Sequence, residues 1–129
     1  MHTLHVPTRK RVEFIDITSE VAEKVKDISG GICVVYCPHT TAGLTINENA
    51  DPSVQKDIIG HLGELVPADK RYEHLEGNAD AHIKTSLVGS SLQIIIEKGH
   101  LVLGTWQGIY FCEFDGPRSR NIYIQIIKE

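Results

Sequence analysis

No stretch of this sequence approaches the roughly 18–20 consecutive apolar residues that cross a bilayer as a helix, so no membrane association is expected. The opening Met-His-Thr-Leu-His lacks the long apolar segment of a signal peptide. Basic residues are not in excess. The 13 Lys and Arg against 17 Asp and Glu give a net charge of -4 with histidines neutral, and only Arg9-Lys-Arg11 forms a basic run. That balance argues against a nucleic-acid partner, which would call for a basic face. Cysteine is scarce and odd in number: three residues do not make a disulfide framework. Cys33 and Cys37, four apart in an apolar run, would share one strand face. They read as small reduced core residues of a cytoplasmic protein rather than a zinc site, which normally takes four ligands. There is no linker and no internal repeat. Residues 1–129 are expected to form one domain, long enough to bury a core without disulfides.

What is present alternates between strand and helix patterns. Residues 3–7 and 11–17 read as strands, with Val12 and Phe14 on one face and Glu13 on the other. Thr18 is a candidate N-cap for a first helix with Val21, Ala22, Val25 and Ile28 as its apolar stripe, ended by Gly30-Gly31. Ile32–Cys37 is apolar on both faces, as a central strand is, and Leu44–Asn47 continues as another. Asp51-Pro52 opens a second helix with Val54, Ile58, Leu62 and Leu65 as its buried stripe, closed at Val66-Pro67. An irregular loop over 67–79 leads to a short helix over 81–88, for which Asp80 is a candidate cap. Strands then follow over 92–97, 105–114 and 121–128. The expectation is an α+β fold: a mostly antiparallel, jelly-roll-like β-sandwich with two larger helices and one short one. Several late strands are apolar on both faces, Ile94–Ile96 and Ile122–Ile127 among them, and burial against another subunit would cover the outer one.

Two segments concentrate polar chemistry. His39-Thr-Thr-Ala-Gly-Leu-Thr-Ile-Asn-Glu-Asn-Ala-Asp51 gathers an imidazole, three hydroxyls, two carboxylates and two carboxamides. His74-Leu-Glu-Gly-Asn-Ala-Asp-Ala-His82 again sets imidazole beside carboxylate. Burying so many polar groups without partners is costly, so a polar site is expected. His39, Thr40 and Thr41 with Gly43 suit a phosphate, although a turn whose threonines cap backbone groups fits the spacing equally. Glu48 can hold a metal or orient His39, while Asp51 reads as a helix cap. His82, in the first turn of its helix, is placed where the dipole lowers a histidine pKa, as a ligand or general base requires. His2, His5, His61 and His100 read as surface residues. In Gly104-Thr-Trp-Gln-Gly108, Trp106 reads as core and Gln107 as a pocket donor. Arg118 is a candidate phosphate clamp, against the alternative of a solvated turn arginine.

Together, the His39–Asp51 segment, Glu76-Gly-Asn-Ala-Asp-Ala-His-Ile-Lys84 and Gly104-Thr-Trp-Gln-Gly-Ile109 resemble the motifs of the YjbQ-like family, across nearly the whole chain. The resemblance implies a compact homotrimer and thiamine-phosphate synthase activity, joining a pyrimidine diphosphate to a thiazole phosphate with release of pyrophosphate. His39, Thr40, Thr41, Glu48, Asn49, His74, Glu76, Asp80, His82, Lys84, Trp106 and Gln107 coincide with that pattern. The expected catalytic set is His39, Glu48, Asp80 and His82; Thr40, Thr41, Asn49, Lys84, Gln107 and Arg118 would bind substrate. His39, His74 and His82 would converge on a divalent ion, zinc or magnesium, with no organic cofactor. A metal-dependent hydrolase of a small phosphorylated substrate and a non-catalytic trimeric binding module are the alternatives.

Overall fold

The apolar runs do become sheet interiors, and the strands divide between two sheets. The computed structural model describes residues 1–69 and 71–129; Lys70, inside the loop expected over 67–79, lies outside the described residues. Strands β1 (His2–Pro7) and β2 (Glu13–Asp16) precede helix α1 (Thr18–Glu23), and β3 (Gly30–Tyr36) and β4 (Ala42–Glu48) precede α2 (Pro52–Leu65) and α3 (Ala79–Val88). The chain ends in β5 (Ser91–Glu97), β6 (His100–Leu101), β7 (Gln107–Glu113) and β8 (Ser119–Lys128). One sheet has the order β1-β8-β3-β5-β6 and the other β2-β7-β4, with every pairing antiparallel. The expected α+β sandwich is therefore observed.

Period-two alternation decides what lies between the sheets. Cys33 and Val35 of β3, Ile94 and Ile96 of β5, and Ile122 and Ile124 of β8 point inward. They meet Ala42, Leu44, Ile109 and Phe111 of the smaller sheet, and Val21 and Val25 close one side. The other face of the smaller sheet carries Tyr110 and Cys112. These pack with Phe114, Ala81 of α3 and the partly buried Phe14, Leu62 and Val88. The result is three layers: large sheet, small sheet, helices.

Several local expectations need correction. Thr18 does not cap α1; Ile17 holds that position, and the Asp16 carboxylate accepts from both the Thr18 N–H (2.9 Å) and hydroxyl (2.5 Å). The first helix is the short one, six residues, and α3 runs for ten. Asp51 does cap α2, accepting from the Ser53 N–H at 2.9 Å. The α2 stripe is only half-buried, however, and Leu65 is exposed; of the stripe, Leu62 packs against the Tyr110–Phe114 cluster. Trp106 is 63% exposed and is not a core residue. All three cysteines are free and buried, as their apolar contexts suggest. On the outer face of the large sheet Ile95, Ile32 and Ile127 stand in register across β5, β3 and β8, and all three are exposed.

Candidate active site

The residues from Tyr36 to Thr40 leave β3 at the end where α3 finishes, and an open cleft of about 510 Å³ lies between these two segments. Its size falls within the range of small-molecule sites. Tyr36, Pro38, His39 and Thr40 line it from the strand end, and His82, Thr85 and Ser86 from α3, with Ser90 beyond. Positions 82, 85, 86 and 89 recur on one helix face by the 3.6-residue period, so α3 presents them together. Two contacts fix the helix to the strand end. The Cys37 N–H donates to the Ser90 carbonyl at 2.8 Å, and the Leu44 N–H to the Gly89 carbonyl at 3.0 Å. Gly43 permits the second, since a Cβ there would stand 2.6 Å from the Gly89 oxygen.

His39 is held by β8. Its Nε2 lies 3.0 Å from the Asn121 N–H and 3.1 Å from the Asn121 carbonyl oxygen. One nitrogen cannot serve both; burial, and then the positive charge of Arg120, push the His39 pKa down. The lowered pKa favours the neutral ring, whose Nε2 either accepts the Asn121 N–H or donates to the Asn121 carbonyl according to its tautomer. His82 makes no ring hydrogen bond to the protein among the described residues. Its ring instead meets that of His74 edge to face, centroids 5.2 Å apart. His74 lines a neighbouring groove with Tyr72, Leu75 and Asp80, so the imidazole pair joins the two depressions. The Glu76 carboxylate is 3.7 Å from the His74 ring.

Two buried carboxylates are held in ion pairs. Asp80 accepts from Arg11 through both oxygens (3.1 and 3.2 Å) and stands 3.4 Å from the Lys84 ammonium. Burial, the largest single influence, pushes the Asp80 carboxyl up, but the hydrogen bonds and charges of Arg11 and Lys84 together outweigh it and hold the group below its usual range. Glu113 accepts from Arg120 Nε (2.8 Å) and Nη2 (2.5 Å), from the Thr8 hydroxyl and from the Asp115 N–H. It too is held low: burial opposes ionisation, and the Arg120 hydrogen bonds lead the groups that favour it.

This geometry separates the residues expected at one site. His39, Thr40 and His82 share the cleft. Thr41 is buried, its hydroxyl accepting from Arg120 at 2.9 Å, and so serves the structure beneath. Lys84 is 5% exposed and committed to Asp80; Asp80 pairs with Arg11 and does not cap α3, whose N-cap is Asn78. Arg118 is held by Asp115, at 2.8 Å to its carbonyl and 3.0 Å to its carboxylate, which is the turn role rather than a clamp. Glu48, Asn49 and Gln107 stand at the far end of β4. Ala42 pairs with Glu113 and Glu48 with Gln107, six residues apart and so about 20 Å along the strand. There Asn49 donates to Asp16 at 3.2 Å and packs on Gly108, where no side chain fits, and Gln107 accepts from the Gly104 N–H. Among the described residues no three His, Cys, Asp or Glu side chains are grouped to hold a metal ion; His74 and His82 are in contact, and His39 shares the cleft with His82. Sequence reading missed Glu113 and Arg120, seven apart across a turn, and Thr85, Ser86 and Ser90. The Glu113–Arg120 pair could have been suspected from charges inside otherwise apolar strands; the three hydroxyls carried no signal.

Known proteins share this fold and much of this sequence. The UPF0047 protein YjbQ-like family matches residues 2–129. The chain is 53% identical to the UPF0047 protein YugU of Bacillus subtilis, over 98% of each chain. It is 56% identical to the UPF0047 protein MJ1081 of Methanocaldococcus jannaschii, over 95% of this chain and 90% of that one. A crystal structure of a YjbQ/UPF0047 family protein from Clostridium acetobutylicum superposes with a TM-score of 0.96 at 55% identity, covering 98% of this chain and 100% of that one. A conserved hypothetical protein from Thermus thermophilus gives 0.93 at 41% identity, covering 98% and 100%. With its motifs, its sandwich and its near-complete overlap with these relatives in agreement, the chain belongs to the UPF0047, YjbQ-like family.

Proposed function

We propose that the protein is a transferase of the thiamine-phosphate synthase type, possessing that activity at least as a secondary one. The observation that carries the reading is the cleft itself: two imidazoles and several hydroxyls on its wall, with no carboxylate among its lining residues. Such a surface accepts a diphosphate without like-charge repulsion. In the reaction the bond between the pyrimidine methylene carbon and the diphosphate oxygen breaks, and the thiazole nitrogen supplies the electron pair that forms the new C–N bond. Negative charge collects on the departing diphosphate, so donors placed around it lower the barrier. His39 and Thr40 offer a ring nitrogen and a hydroxyl, and His82 an imidazole with no ring hydrogen bond among the described residues. Little proton transfer is needed, and holding the two substrates in line is the protein's larger contribution.

No step is assigned to a metal ion; the chelator arm of the test below bears on the divalent ion, zinc or magnesium, that the reading allows. The reading places the enzyme in the cytoplasm, where its free thiols stay reduced. It also makes the protein a homotrimer. The exposed isoleucines of β3, β5 and β8 support an oligomer, because burying them together stabilises association at roughly 25 cal/mol per Å² of apolar surface.

The test is to incubate purified protein with a pyrimidine diphosphate and a thiazole phosphate, with and without chelator, and to follow pyrophosphate and coupled product. Equal amounts of both are expected, and none from His82→Ala. Free pyrophosphate or phosphate without coupled product would replace the transferase by a hydrolase. No release of either, with magnesium or zinc supplied, would leave a binding module.

A further inference from the structure

The groove beyond the imidazole pair, about 350 Å³, is lined unlike the cleft. Tyr72, His74 and Leu75 give it flat and apolar surface, and Leu75 is 96% exposed, an uncovered apolar side chain on a loop. Tyr72 is tied down, its hydroxyl donating to the Pro67 carbonyl at 2.6 Å. Two carboxylates also line the groove, and each is already engaged: Asp69 by Arg71 at 2.6 and 2.8 Å, Asp80 by Arg11 at 3.1 and 3.2 Å. Among its described lining residues there is no lysine or arginine. A phosphate placed there would meet two carboxylates and no lining cation, while a cation would find both carboxylates taken. An uncharged, flat group suits the lining, with its faces against aromatic and aliphatic side chains. The cleft is lined conversely, by imidazoles and hydroxyls without a carboxylate. The two depressions meet where the His74 and His82 rings are in contact, centroids 5.2 Å apart.

We infer that the groove of Tyr72, His74 and Leu75 is the subsite for the uncharged heteroaromatic ring of a substrate whose diphosphate lies in the adjoining cleft. This rests on the proposed reading of the cleft as a diphosphate site and adds where the ring attached to that diphosphate is held. Charge sorts the two halves of one molecule: the anion goes to the depression without carboxylates, the ring to the depression without lining cations. The methylene carbon that joins them, from which diphosphate departs, then lies beside the His74–His82 pair. The two imidazoles flank the bond that breaks, His82 from the diphosphate side and His74 from the ring side.

The test uses the full-length protein and titration calorimetry on the wild type, Tyr72→Ala and Tyr72→Phe, with a hydroxymethylpyrimidine diphosphate and inorganic pyrophosphate as probes. The wild type should bind the pyrimidine diphosphate about tenfold or more tightly than pyrophosphate, the scale of one aromatic contact with its buried area. Tyr72→Ala should lose most of that difference while its pyrophosphate affinity stays within about twofold of the wild type. Tyr72→Phe keeps the ring without the bond to Pro67, and should stay within about threefold for both probes. Wild-type protein that binds the pyrimidine diphosphate no more tightly than pyrophosphate, or binds neither at millimolar concentration, overturns the inference. So does a Tyr72→Ala variant that weakens both probes equally, or a Tyr72→Phe variant as weak as Tyr72→Ala, since the loss would then come from the loop's tie to Pro67. Coupled product formed by Tyr72→Ala at the wild-type KM for the pyrimidine diphosphate would keep the transferase and remove this subsite. Tyr72-dependent binding of the pyrimidine diphosphate without any turnover would remove the transferase reading and leave this inference in place.

Discussion

Glu113→Gln is the substitution that most sharply tests how this fold tolerates charge in its interior. Glu113 is fully buried, and its two oxygens receive four donors: the Thr8 hydroxyl at 2.7 Å, Arg120 Nε and Nη2, and the Asp115 N–H at 3.0 Å. Glutamine keeps the shape but turns an amide toward some of those donors and leaves the buried Arg120 guanidinium uncompensated. Breaking a buried pair in this way costs about 3–5 kcal/mol. For a chain of this length that is a fall of roughly 10–20 °C in melting temperature. Urea unfolding at fixed protomer concentration, followed by circular dichroism at pH 7, measures it. The pH dependence carries a sign. The folded-state pKa of Glu113 is lowered, so its stabilisation is fully present above the unfolded value of about 4.3 and is lost as pH falls through the folded pKa. The gap between wild type and variant should therefore narrow on acidification from pH 6 towards 3. The double replacement Glu113→Leu with Arg120→Met should recover much of the loss, because no charge is then left alone. A loss below about 1 kcal/mol at pH 7, or a gap that does not narrow with acid, would refute the account.

Ile95→Lys should place a charge in the exposed isoleucine row and reduce a trimeric mass by light scattering to that of a single chain, with the circular dichroism spectrum unchanged; a mass equal to the wild type's would remove that face from any interface. Ile124→Ala should cost about 2–5 kcal/mol in urea unfolding through a cavity between the sheets, whereas His82→Ala should shift the unfolding midpoint little, since its ring makes no hydrogen bond to the described protein. A reversed order would place His82 in the folding core. Trp106 is the single tryptophan, so the emission maximum of the isolated chain should be that of a solvated indole. A blue-shifted maximum in the assembled protein that moves red in Ile95→Lys would place Trp106 in an interface.

Element type was legible where period and end signals agreed. The doubly apolar Ile32–Cys37 run became the central strand β3, and Asp51-Pro52 opened α2 with the expected cap. The alternation in β5 and β8 set Ile94, Ile96, Ile122 and Ile124 on one face and Ile95 and Ile127 on the other, both apolar, and the structure decided that the first set faces inward. Thr18 and Trp106 were misread for a common reason: residue type records what a side chain can do, and a neighbour decides whether it does. Asp16 took the capping role around Thr18, and the turn before β7 carried Trp106 outward.

The sequence by itself determined the local vocabulary: which segments extend, which coil, which side of a strand faces oil, and which segments hold imidazoles and hydroxyls. Those follow from periodicity and backbone preference, which act over a few residues. Only the tertiary structure decided that His39 and His82, forty-three positions apart, line one cleft, while Glu48, in the same motif as His39, stands a strand's length away. It also decided that Lys84, Arg118 and Thr41 spend their polar groups on Asp80, Asp115 and Arg120. Strand register and helix docking set these distances, and both arise from contacts between residues far apart in the chain, which no local pattern encodes.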